Sequence, residues 1–301
     1  MALTDLGRCS AAARHRGEPL GGSAPVASRW LLIEHPGPWS KQAAETPPMG
    51  GRVGEEIEAV CASFGGRALL IRRQGRAVAD AGGRQWFAVD TVRGTWVRGT
   101  WRTADDLLAA ARALGVECSS SDEDAEPMLL VCTQGTRDAC CAVRGRPIVA
   151  SLVRTWPDET WECTHLGGHR FSGTLLALPE GVCYGYLDTD TAASVVADHL
   201  EGRVTGGFVR GVTRWEPAVQ AAIALVLDEY GPAGVDDAVP GRIEAPPDGE
   251  GPTRVEILGR DPVPERVLVE VHAEPQDDLA LSCGAVPKPS VVQRAAVVPS
   301  A

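Results

Sequence analysis

Two short stretches of the chain hold residue types that do metal or redox chemistry. The first is Cys132-Thr-Gln-Gly-Thr-Arg-Asp-Ala-Cys140-Cys141, and the second is Trp161-Glu-Cys163-Thr-His165-Leu-Gly-Gly-His169-Arg170. Thiolates and imidazoles are soft to borderline donors, so a Cys/His cluster suits zinc or an iron–sulfur centre. Cys132, Cys141, His165 and His169 form one candidate set, spaced C-x8-C and then H-x3-H. A metalloprotease is excluded. Its helix needs a glutamate base between the two histidines, and here Leu166, Gly167 and Gly168 stand there, two of them helix-weakening glycines.

Spacing alone leaves several readings open. Structural zinc accepts Cys2His2 with H-x3-H, yet zinc fingers separate their cysteines by about two to four residues. A [2Fe–2S] centre needs four protein ligands and close backbone approach to its sulfides, which Gly167 and Gly168 permit. Cys140 competes with Cys141 for the ligand role, since neighbours in an extended loop face opposite ways. Thiol–disulfide exchange by Cys140 and Cys141 is a third reading, without the C-x-x-C spacing of that chemistry. Cys163 reads as a small core residue. Cys9, Cys61, Cys118, Cys183 and Cys283 read as packing or loop thiols, and His15, His35, His199 and His272 stand isolated.

The donors must be positioned by elements that the apolar pattern outlines. Residues 128–132 read as a buried strand ending on Cys132, 133–146 as a polar loop, and 147–155 as a short helix opened by Pro147. Residues 160–164 read as a second strand running into the His165 segment; strand ends are where open α/β sheets build sites. A hairpin over 173–178 and 182–187 and a helix over 190–200 follow. Upstream the same order of elements appears. Residues 29–34 read as a strand, 53–64 as a helix with Ile57, Val60, Cys61 and Phe64 on one face, and 68–72, 85–90 and 95–103 as strands. A helix over 104–114, capped by Thr103, completes that half. The acidic segment 119–127 separates the halves, and the shared order predicts duplication of one α/β unit. Downstream, a helix runs from Trp215-Glu-Pro217 to Tyr230, loops fill 236–253, strands cover 254–258 and 266–272, and a tail begins at Pro275. Residues 1–25 read as loop.

Bulk properties narrow the classes. The 301 residues suffice for about two domains, and 44% hydrophobic content excludes a disordered polymer. Nine cysteines cannot all pair with one another, and residues 1–22 show no apolar leader, so a cytoplasmic location with reduced thiols is expected. The longest apolar stretch, 218–227, is far short of the ~20 residues of a membrane span. A net charge of -11 lacks the basic footprint of a nucleic-acid binder. No membrane or nucleic-acid partner is therefore expected. Arg137, Arg144, Arg146 and Arg170 run against that acidity beside the donors. They read either as solvated or Asp138-paired charges or as a surface that steers an acidic redox partner.

The motifs CTQGTRDACC and THLGGHRFSG resemble the signature of the sucrase/ferredoxin-like family. CSAAARHRGEPLGGSAPVASRWLLIEHPGPW resembles that family's opening segment, so the likeness spans residues 9–230. Members are thioredoxin-like ferredoxins that hold a [2Fe–2S] cluster on two cysteines and two histidines. The resemblance implies Cys132, Cys141, His165 and His169 as cluster ligands, with Cys141 in preference to Cys140. Ser172 stands where the family pattern has alanine, away from any ligand. The implied fold is α/β, with two thioredoxin-like units: a degenerate, cluster-free one over 1–120 and a cluster-binding one over 127–210. A helix, a small β extension and a tail fill 211–301. The implied function is one-electron transfer to or from a redox partner protein, as a carrier or redox component more than a stand-alone enzyme. If it is an enzyme, it is an oxidoreductase. No carboxylate pair argues for glycoside hydrolysis. Two neutral imidazoles in place of thiolates should raise the cluster potential above that of plant-type ferredoxins, and their second nitrogens could couple electron to proton transfer.

Overall fold

Alanine-rich Cys9–His15 forms a short helix (α1) where the sequence reading expects loop, and it buries Cys9, Ser10, Ala11 and Ala13. The computed structural model describes residues 8–75, 83–115, 117–118, 121, 123–246 and 251–299. Residues 119, 120 and 122 of the acidic segment, and parts of the expected opening loop (1–7), later loop (247–250) and tail (300–301), lie outside the described residues. The protein is α/β, with a large mixed sheet and six α-helices among the described residues. Contacts divide it into two compact units. One comprises Ala27–Leu166 with Leu175–Gly181; the other comprises Val26 and the described residues before it, Gly167–Thr174, and Val182 onward.

The first unit is built on strands with nearly continuous apolar burial, as expected when a sheet is covered on both faces. Arg29–Glu34 (β1) and Gly66–Arg72 (β2) pair in parallel, and the amphipathic helix Arg52–Ser63 (α2) lies between them in sequence. Arg84–Asp90 (β3) runs antiparallel beside β1, and Thr95–Trp101 (β4) runs antiparallel beside β3. Ala104–Ala113 (α3) follows. Thr103 caps it, as the sequence predicts, and the cap is a reciprocal capping box with Asp106. The pattern then repeats. Met128–Cys132 (β5) and Thr160–Cys163 (β6) pair in parallel with the helix Ala139–Leu152 (α4) between them, and Leu175–Leu178 (β7) runs antiparallel beside β5. The strand order is β4-β3-β1-β2-β6-β5-β7. The two parallel pairs meet in a short antiparallel ladder, Ile71↔Cys163 and Arg72↔Glu162.

The second unit carries Val182–Tyr184 (β8), the helix Thr189–Leu200 (α5), Val209–Val212 (β9) and the helix Pro217–Tyr230 (α6). Asp188 caps α5, which begins one residue before the expected start at Asp190. α6 is buried over most of its circumference, and its fully buried Gln220 is satisfied. The side chain accepts from Ala24 N–H (3.1 Å) and donates to Trp215 O (2.8 Å). Ala238–Glu244 (β10), Thr253–Gly259 (β11), Arg266–Leu279 (β12) and Lys288–Val297 (β13) form an antiparallel sheet in that order. Val255, Ile257, Val267, Val269 and Val271 alternate inward along β11 and β12, the period-two pattern of a half-buried sheet. No described helix is long and apolar enough to cross a membrane.

Three further expectations need correction. The loop expected over 236–253 holds the strand β10 at Ala238–Glu244. The segment read as a loop over 133–146 followed by a helix from Pro147 is one helix, α4, with Pro147 in its interior. A proline there leaves the carbonyl four residues earlier unbonded. That residue is Val143, which is 47% exposed, so water can take the bond. The expected tail from Pro275 is instead the end of β12 plus β13. Pro275 lies beyond residues 266–271, where β12 pairs with β11, so it occupies a one-sided stretch of strand where proline is tolerated.

Candidate metal centre

The end of β5, the start of α4 and the segment after β6 converge. Cys132 is the last residue of β5, Cys141 lies in the first turn of α4, and His165 stands two residues beyond β6. One donor atom from each lies within 4.8 Å of the other two, and Cys141 Sγ is 3.9 Å from His165 Nδ1. Both cysteines are buried and His165 is half-buried. The Cys132 thiol is held well below the ordinary thiol range. Its hydrogen bond with Cys141 is the largest cause and His165 adds to it, while burial opposes both. The N-terminal end of α4 favours negative charge in the same place. These residues form a dithiol–imidazole group suited to holding a metal.

Strand and loop hydrogen bonds fix this arrangement. Thr133 N–H donates to Cys163 O (3.2 Å), and Thr164 N–H donates to Leu70 O (2.9 Å). Gln134, almost fully buried, accepts from His165 N–H (2.9 Å) through Oε1 and donates from Nε2 to Ser40 O (2.7 Å). Thr136 Oγ1 donates to Trp39 O (3.1 Å). Asp138 Oδ1 accepts from Cys140 N–H (2.8 Å) and caps α4. Beneath the site, Arg72 donates to Glu162 Oε2 from Nε (2.8 Å) and Nη2 (2.6 Å). Thr133 Oγ1 donates to the same oxygen (2.9 Å), and the Arg72 guanidinium lies 4.0 Å over the Trp39 ring.

α4 crosses the end of β5 at contact distance. A Cβ at Gly145 would stand 2.1 Å from Cys132 O, so only glycine fits. The sequence reading places Gly145 in the polar loop over 133–146, whereas it is the point where helix meets strand. Gly145→Ala is expected to cost about 3 kcal/mol through overpacking. Equilibrium urea unfolding checks this, and a change near zero would show that the helix is not pressed on the strand.

The remaining sequence-derived candidates have definite places. Cys140 is buried beside the cap, outside the group of three, and Cys163 is buried opposite Cys132 on the neighbouring strand. His169 belongs to the other unit, where it opens the 3-10 turn His169–Phe171 after Gly167 (φ 80°) and Gly168 (φ 62°). It is not in the group of three. Its turn is held within its own unit. Ser172 N–H and Oγ–H donate to His169 O (3.1 and 2.8 Å), and Arg170 pairs with Glu18 at 2.5 Å. Arg137 donates to Gln42 Oε1 (3.0 Å), and Arg146 is exposed. Sequence reasoning missed Gln134, Asp138 and the Arg72–Glu162–Thr133 brace. The available signals were Asp138 directly before the Ala-Cys-Cys-Ala run and charged residues inside otherwise apolar strands.

The sucrase/ferredoxin-like family model matches residues 20–211, well over half of the chain. The chain belongs to that family. The matched region of this sucrase/ferredoxin-like protein contains Cys132, Cys141, His165 and His169. α1 and the sheet β10–β13 lie outside it. No curated protein and no solved structure matches the chain significantly.

Proposed function

We propose that this sucrase/ferredoxin-like protein is a one-electron redox carrier, or a component of a redox system, that holds a [2Fe–2S] cluster on Cys132, Cys141, His165 and His169. The observation that carries the reading is the convergence of Cys132, Cys141 and His165 in a member of a family described as ferredoxin-like. The donor set fits the group: two thiols, one already biased toward thiolate, and imidazole nitrogen beside them. When bound, the cluster would supply a one-electron couple, with imidazoles in place of two thiolates raising its potential above that of plant-type ferredoxins.

The chain's own residues have distinct tasks in this reading. Cys132 and Cys141 supply negative charge where the α4 N-terminus stabilises it. Gln134 fixes the backbone of His165 and so the direction from which the ring approaches. The Arg72–Glu162–Thr133 brace holds the ends of β2, β5 and β6 in register without adding net charge. Arg137 and Arg146 would draw an acidic partner toward this face of an otherwise acidic protein. The repeated arrangement of a parallel pair, an intervening helix and an antiparallel third strand supports reading the chain as two thioredoxin-like units.

A structural zinc site is the second reading. The 4.8 Å limit on the three donor atoms also suits one tetrahedral ion. Metal and acid-labile sulfide analysis of anaerobically purified protein, with its visible spectrum, separates the two. About two iron and two sulfide per chain are expected, with red-brown absorption. Colourless protein with one zinc per chain would overturn the cluster and establish the second reading.

A further inference from the structure

Cys9 and Cys283 are 274 positions apart, yet their sulfurs stand 3.7 Å from each other within one unit. Both lie outside the region matched by the family model. Cys9 opens α1 and is 3% exposed. Cys283 is half-buried in the turn between β12 and β13, where Ala285 N–H donates to Ser282 O (3.2 Å) and Gly284 takes a left-handed conformation (φ 71°). A disulfide bond measures about 2.05 Å, so each sulfur has roughly 0.8 Å to travel. A turn gives that distance more readily than a helix.

We propose that Cys9 and Cys283 are a redox-modification site that closes to an intramolecular disulfide in the presence of a small-molecule disulfide. The more accessible Cys283 thiolate attacks one sulfur of the oxidant; that S–S bond breaks and one small thiolate leaves. The Cys9 thiolate then attacks the Cys283 sulfur of the mixed disulfide, the protein S–S bond forms, and the second small thiolate leaves. Two protein thiols are oxidised, one disulfide is reduced to two thiols, and the two protein protons end on the small thiols.

The consequence of closure follows from what α1 holds. Arg14 donates from Nη2 to Ser172 O and Leu187 O (3.4 Å each) and lies 4.7 Å over the Tyr186 ring. Glu18, just past the helix, pairs with Arg170 (2.5 Å). These contacts grip the turn that carries His169. A bond at Cys9 ties the first residue of α1 to the β12–β13 turn and opposes its detachment. The oxidised protein then keeps His169 in place longer, a step that rests on the proposed role of His169 as a ligand.

The test uses the full chain treated with oxidised glutathione, alkylated and digested for peptide mass analysis. A peptide linking Cys9 to Cys283 is expected. It should disappear with reductant and in Cys9→Ser and Cys283→Ser, and persist in Cys61→Ser. Recovery of both cysteines as alkylated thiols, or Cys283 linked to a different cysteine, overturns the proposal. In iron-loaded protein, chelator release is expected to be about tenfold slower after oxidation, the lower end of what supporting contacts contribute at metal sites. Equal release rates would overturn the link to His169. The mass readout needs no iron, so it fails or succeeds separately from the cluster.

Discussion

Cys141→Ser is expected to leave purification with iron and sulfide reduced at least about tenfold, because losing a ligand costs more than losing its supporting contacts. Cys140→Ser is expected to keep both. The two residues are neighbours, but only Cys141 joins Cys132 and His165 within 4.8 Å, and its sulfur faces His165 Nδ1 at 3.9 Å. Serine at position 141 removes a soft donor and also removes the largest influence holding the Cys132 thiol below its ordinary range. The metal would then meet one thiol less inclined to ionise and one hydroxyl. Far-ultraviolet circular dichroism on both variants establishes that the fold is retained. Iron loss in Cys140→Ser with retention in Cys141→Ser would reverse the assignment.

Glu162→Leu is expected to destabilise the protein by about 3–5 kcal/mol, the scale for breaking a buried ion pair by removing one partner. Glu162 and Arg72 are 9% and 7% exposed, and the carboxylate also accepts from Thr133. Removing it strands a buried guanidinium and a buried hydroxyl together. The double variant Arg72→Met with Glu162→Leu should recover most of the loss, since an apolar pair of similar volume carries no desolvation penalty. Urea unfolding of both variants measures this. A single variant within about 1 kcal/mol of the parent would mean that the pair is worth no more than a surface bridge.

Much of the architecture was legible in residue order. The strands β1 and β5 fall at their expected bounds because each is a short apolar run closed by polar or turn residues. Thr103 announces α3 because its capping box is local in sequence. α4 was partly hidden, since Pro147, Gly145 and the polar residues leading up to Asp138 look like loop, and only packing on β5 outweighs their propensities. β13 was hidden because its inward residues are few, and Val291 is 55% exposed beside buried Val292. At the site, donor types and spacing could be read directly. The supports could not, because Gln134 meets Ser40 across 94 positions and Arg72 meets Glu162 across 90, contacts that exist only after folding.

The short ladder between β2 and β6 has a consequence for how freely this protein can change. The ladder spans just two residue pairs, Ile71↔Cys163 and Arg72↔Glu162, and the loop holding Trp39 and Ser40 adds backbone acceptors for Gln134 and Thr136. Trp101 and Leu107 are buried in the core that α3 shares with β1, but Phe87 of β3 also meets Trp161 of β6 edge-on, with ring centroids 6.1 Å apart. Substitutions on the exposed faces of β4 and α3 can be accommodated locally, whereas a change at Phe87 reaches Trp161 on β6, the strand that leads into His165. The outer edge of this half of the sheet, β4 with α3, is thus the more tolerant place for sequence drift or for grafted loops, while the β5–α4–β6 segment, pinned by Gly145, has almost no such latitude.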